Sequence, residues 1–122
     1  MAKKSETVLV MGASPNPDRY AFKATTALKN HGHTVVPFGI RKGEISGIQI
    51  VNELPESDID TVTLYLGPAR QPEHYNYLMA LKPKRIIFNP GTENSELAEL
   101  ANKNGIETEN ACTLVLLSLD AF

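Results

Sequence analysis

The sequence predicts an α/β protein, a three-layer αβα sandwich around a mainly parallel sheet. Three observations point there. Apolar runs of five to seven residues recur along the chain, and amphipathic segments of helical length lie between them. The first run also passes through one tight turn straight into a helix. Strands alternating with helices form βαβ units, which stack into a parallel sheet covered on both faces. Such Rossmann-like sheets take ligands at the C-terminal ends of their strands, where the winding direction switches.

Each element follows from local signals. TVLVMG (7–12) is apolar at consecutive positions, as a strand buried on both faces requires. A helix begins near Asp18 or Arg19, with Asp18 as its N-cap, and ends at Gly32 as its C′ residue. TVVPF (34–38) is the second strand, and GIQIV (47–51) reads as a weaker third after the turn RKGEISG. TVTLYLG (61–67) and RIIFN (85–89) are the fourth and fifth. Between them QPEHYNYLMALK fits a helix with Pro72 at its first position and Tyr75, Leu78 and Met79 on one face. SELAELANKNG places Leu97, Leu100 and Ala101 at helical spacing, with Asn94 as N-cap and Gly105 as the stop. GIETE (105–109) is the sixth strand. The tail CTLVLLSL is apolar enough for burial but too short and featureless to assign to strand or helix.

Composition excludes several function classes. The 122 residues suit one domain, with 42% apolar and 21% charged residues. Twelve basic and fourteen acidic residues leave 12 − 14 = −2, with no clustered basic face for nucleic acid. The single cysteine, Cys112, permits neither an internal disulfide nor a thiolate zinc cluster. The start MAKKSETVLVMG has two lysines and too short an apolar run for a signal peptide, and no run spans a membrane. The expected location is the cytoplasm.

The turn after the first strand carries the chemistry. Gly12 allows close approach to the backbone, Ser14 and Asn16 offer short polar side chains, and Pro15 and Pro17 stiffen the loop. The helix behind it presents unpaired N–H groups and the positive end of its dipole, an anion site. Arg19, Tyr20 and Lys23 stand at that first turn, where a cation is unfavourable beside a positive terminus unless an anion joins it. The glycine-rich dinucleotide fingerprint is missing. Arg41 and Lys42 follow the second strand where NAD-binding proteins place a carboxylate. Cations there suit a ribose bearing an extra phosphate, as in NADP or coenzyme A.

The stretch VLVMGASPNPDRYAFKATTALKNHGHTVVPFG, with the later YLGP and FNPGTENSELAELANKNGIE, resembles the small stand-alone coenzyme A-binding domain proteins. These are similar to the N-terminal domain of the succinyl-CoA synthetase α subunit, and the resemblance covers roughly residues 5 to 113. It implies a Rossmann-like fold with coenzyme A lying across the strand ends. By that resemblance Gly12, Ser14, Asn16, Arg19 and Tyr20 hold the pyrophosphate. Phe38, Gly39 and Lys42 flank the adenosine and its 3′-phosphate, and Leu66, Gly67 and Pro68 line the third turn. Relatives commonly carry Asn-Pro where this chain has Gly39 and Ile40. They often carry Trp and Gln where it has Phe88, Asn89 and Pro90. Both differences are expected near the pocket. The synthetase's phosphorylated histidine lies in a second domain outside this resemblance, so no ligase chemistry carries over.

No nucleophile–base–orienter set emerges. His31 and His33 flank the Gly32 stop and suit carbonyl capping. His74 is expected in solvent, and Cys112 as a structural thiol without a base to activate it. The reading is a binder of coenzyme A or an acyl-CoA. An NADP- or CoA-dependent enzyme and a ligand-free interaction module stand as alternatives, and no protein partner can be named.

Overall fold

A computed structural model describes residues 5–122; Lys3 and Lys4, on which the signal-peptide reading drew, lie outside them. The central sheet has five parallel strands: β1 (Thr7–Met11), β2 (Thr34–Phe38), β5 (Thr61–Leu64), β6 (Arg85–Phe88) and β7 (Glu107–Asn110). Their order is β2-β1-β5-β6-β7, so the chain reverses its winding at β1. Helices α1 (Tyr20–Asn30) and α4 (Thr113–Ser118) cover one face, and α2 (Tyr75–Leu81) and α3 (Ser95–Lys103) the other. This is the expected Rossmann-like α/β fold.

Strand β1 explains why the core forms as it does. Val8 and Val10 point into the α1/α4 layer, while Leu9 and Met11 point into the α2/α3 layer. All four are 0% exposed. Full burial of one such side chain contributes about 1.5–3 kcal/mol, so β1 anchors the sheet. Edge strand β2 pairs with β1 from Thr7↔Thr34 to Met11↔Phe38. Its Pro37 is tolerated because β2 is an edge.

Helix ends follow the predicted glycines. Gly32 (φ 87°) and Gly105 (φ 79°) take the left-handed conformation. His33 N–H bonds Leu28 O and Ile106 N–H bonds Ala101 O, closing a Schellman motif on each helix. Asn94 caps α3 as expected, its Oδ1 accepting from Leu97 N–H at 3.1 Å. Pro72 opens a 3-10 turn (Pro72–His74) that leads into α2, so the α-helix itself begins three residues later.

Four expectations need correction. The α1 N-cap is Arg19, not Asp18. Asn16 Oδ1 accepts from Asp18 N–H and Asn16 O accepts from Arg19 N–H, so a turn over 16–19 delays the helix by one residue. Residues 47–51 do not join the sheet. They fold back as a hairpin of β3 (Glu44–Ile45) and β4 (Ile48–Gln49) around Ser46 (φ 50°) and Gly47 (φ 85°), with only Val51 bridging to Phe38. Strand β7 starts at Glu107 rather than 105 because Gly105 and Ile106 complete the α3 cap. The apolar tail forms α4, which buries Thr113 and Leu117 but leaves Val115 and Leu119 exposed.

Candidate functional site

The loop after β1 is shaped by its own polar groups. Ser14 Oγ accepts from Asn16 N–H at 3.1 Å, and Asn16 Oδ1 from Asp18 N–H at 3.0 Å. The N–H groups of Gly12 and Ala13 both bond Phe38 O, at 3.0 and 2.8 Å, so they are already committed. Gly12 holds φ 98°, and a Cβ there would meet the Tyr65 backbone at 3.0 Å. Its glycine is thus required by the neighbouring strand as much as by any ligand.

The start of α1 is where donors remain. Its first intrahelical bond runs from Lys23 N–H to Arg19 O, and no side chain caps the terminus. Tyr20, Ala21 and Phe22 therefore point their N–H groups outward without an intrahelical acceptor. Arg19 stands at the cap, and Lys23 Nζ sits 5.2 Å from the Tyr20 ring centroid, adding a third positive contribution. No acidic residue occupies the first turn, and the carboxylates in the same cleft are Asp18, just before the cap, and Glu73.

This terminus opens into a cleft of about 660 Å³ at the C-terminal strand edge. Seven of the expected ligand residues line it: Gly12, Ser14, Arg19, Tyr20, Phe38, Gly39 and Leu66. Asn16, Lys42, Gly67 and Pro68 lie outside the lining. Asn16 spends its side chain on the turn, and Arg41 takes the cleft-facing position beside Lys42. The sequence reading missed Tyr65, Arg70 and Glu73, which come from the segment after β5, and placed His74 in solvent. His74 is half-buried, edge-on to Phe38 with ring centroids 6.2 Å apart.

The pair of sequence differences separates cleanly. Gly39 and Ile40 line the cleft, whereas Phe88 is 1% exposed in the core and Asn89 is buried in a polar network. Asn89 Nδ2 donates to Thr63 Oγ1 and Leu64 O, and Asn89 Oδ1 accepts from Thr113 N–H. Asn89 fastens α4 to the strand ends and does not line the cleft.

Tyr65 borders that network. Its hydroxyl is buried without a hydrogen-bond partner, beside Thr63 and Thr113, which bond each other at 2.8 Å. Burial pushes its phenol up to about 12, so it stays neutral at physiological pH. His31 Nδ1 caps Ala27 O at 2.8 Å as expected, but His33 instead accepts from Glu6 N–H. Cys112 is half-buried at the α4 N-cap. Among the described residues no group of three His, Cys, Asp or Glu could hold a metal ion. No helix among the described residues is long and apolar enough to cross a membrane.

A family model described as "CoA binding domain" matches residues 6–118. The chain belongs to the CoA-binding domain family. This member resembles a crystal structure of an uncharacterized protein at 50% identity and TM-score 0.94, over 98% of this chain and 100% of that one. A hypothetical protein from Pyrococcus horikoshii OT3 is 27% identical with TM-score 0.79, over 91% of this chain and 80% of its own. A conserved hypothetical protein from Pyrococcus furiosus is also 27% identical, with TM-score 0.72 over 89% and 93%. No curated protein matches this CoA-binding family member.

Proposed function

We propose that the chain is a single-domain cytoplasmic protein that binds coenzyme A or an acyl-CoA through the β1–α1 loop, and that it holds this ligand rather than transforming it. The observation that carries the reading is the uncapped α1 terminus with Arg19 beside it, opening into the strand-end cleft. Exposed N–H groups and a guanidinium converging on one cleft suit a phosphate. Membership of the CoA-binding family supplies the class of ligand.

Arg41 supports the finer choice. It lines the cleft on the β2 side, where the ribose of a nucleotide across β1 and β2 would lie. A guanidinium there favours a ribose that carries a phosphate and gives a plain ribose nothing to prefer. In this reading Phe38 and Gly39 flank the adenosine, and Tyr20 stands beside Arg19 at the diphosphate. Ser14 and Asn16 keep the loop in shape, with Asn16 acting through the backbone turn. Lys42, Gly67 and Pro68 are exposed and lie outside the lining.

Titration calorimetry with CoA, dephospho-CoA, NADP and NAD, at two salt concentrations, tests this. Binding of CoA with distinctly weaker dephospho-CoA, and weakening at high salt, supports the reading. Tighter binding of NADP than CoA overturns it in favour of a reductase. Arg19→Ala should weaken CoA binding about 10- to 100-fold, the loss of one charge-assisted hydrogen-bonding group. An unchanged affinity would remove Arg19 from the site.

A further inference from the structure

The expected third-turn contacts end at Leu66, Gly67 and Pro68, yet the turn also delivers Arg70 to the cleft. The chain has four arginines. Arg85 is fully engaged at the opposite sheet edge, paired with Glu6 and Glu109 and lying over the Phe122 ring. Arg19, Arg41 and Arg70 all line one cleft, and among the described residues none has a side-chain hydrogen bond, ion pair or ring contact. They arrive on the turns after β1, β2 and β5, three neighbouring strands.

Arg70 is held on a rigid base. It ends the 3-10 turn Pro68–Arg70, its N–H bonding Gly67 O at 3.0 Å. The next residue, Gln71, is 1% exposed, and its Nε2 donates to Leu66 O and Thr92 O at 2.9 and 2.8 Å. Glu73, three residues on in the same wall, is a natural helical-spacing partner, yet it forms no ion pair with Arg70. The guanidinium therefore remains available to a ligand.

We propose that Arg70 is the second guanidinium of the diphosphate subsite, an inference that rests on the coenzyme A reading. Adjacent strands stand about 4.8 Å apart, so the β5 turn lies a single spacing from the phosphate loop. Arg19 belongs to the wall that leads into α1, and Arg70 to the wall that leads into α2 on the other sheet face. A diphosphate over β1 lies between them, one phosphate to each, while Arg41 takes the third phosphate. An acidic acyl group is the poorer match for Arg70, because the whole pantetheine arm separates it from the diphosphate.

The test compares CoA with adenosine 3′,5′-bisphosphate, which keeps the adenosine and 3′-phosphate but has one phosphate at the 5′ position. Arg70→Ala should weaken CoA about 10-fold or more while moving the bisphosphate by less than about twofold; Arg70→Lys should recover part of the loss. Thermal unfolding should be unchanged, since Arg70 is exposed. Equal losses for both ligands, or no loss for either, overturn the assignment alone. Wild-type protein that takes neither ligand overturns the coenzyme A reading and this assignment with it.

Discussion

Gly39 and Ala13 meet backbone to backbone: a Cβ on Gly39 would stand 2.2 Å from the Ala13 carbonyl oxygen. The contact seats the β1 turn against the β2 turn, and the Phe38 carbonyl, which accepts from Gly12 and Ala13, locks it. Both turns line the cleft. The close approach gives a physical reason for glycine at this position.

Gly39→Ala should therefore cost at least about 1–3 kcal/mol, because backbone rather than a flexible side chain must move. Differential scanning calorimetry should show a melting temperature lower by at least about 5 °C. CoA affinity should fall with it. A variant as stable as the parent would mean that the turns separate freely.

Asn89→Ala should remove three hydrogen bonds at once and leave Thr113 N–H without its acceptor. Each buried group left unpaired costs about 1–3 kcal/mol, so urea unfolding should register a loss above about 2 kcal/mol. Amide exchange along α4 should rise more than exchange in β1. Uniform loosening would contradict Asn89's role as the fastening of α4.

Tyr65→Phe removes a hydroxyl that has no partner. Stability should be unchanged or higher by up to about 1 kcal/mol, the reverse of a typical buried Tyr→Phe change. Ultraviolet titration of the parent should place two tyrosines, Tyr65 and Tyr77, near 12, and the variant should retain only Tyr77 there. A loss above about 1 kcal/mol in the variant would reveal a bond that the hydroxyl makes.

His33 links stability to pH. Burial holds its imidazole below the ordinary value of 6.5, and its Nδ1 accepts from Glu6 N–H, which only the neutral ring can do. The unfolded chain then binds the proton more readily than the folded one. The stabilisation is fully present above about pH 6.5 and is lost as pH falls through the lower, folded value. His33→Gln keeps an acceptor and removes the titration, so its stability profile should be flatter across that window. Equal slopes in both proteins would assign the effect to other groups.

The parts of the fold fixed by short-range chemistry were legible. Consecutive apolar residues announce strands buried on both faces, and Gly32, Gly105 and Asn94 mark helix ends through local backbone bonds. Residues 44–49 were harder, because a hairpin and a sheet strand share the same apolar content and only pairing partners separate them. The polar loop after β1 stood out by composition and position, and Gly12, Ser14, Arg19 and Tyr20 of the residues named there line the cleft. The choice between Arg41 and Lys42 was not legible, since neighbouring side chains on a non-helical segment point different ways and only one enters the cleft. Arg70 gave no signal either: its approach depends on how buried Gln71 pins the turn.

The two flanks of the sheet bear on how copies of this protein treat one another. On the β2 side Pro37 has no N–H to offer, and the Val51 segment bonds Pro37 O and supplies the acceptor for Gly39 N–H. On the β7 side Glu107 and Glu109 leave the outermost strand exposed and charged. An incoming strand meets occupied groups at one flank and repulsion at the other. Edge-to-edge aggregation is thus resisted at both sides, and concentrated solutions should stay free of cross-β assembly while the fold persists.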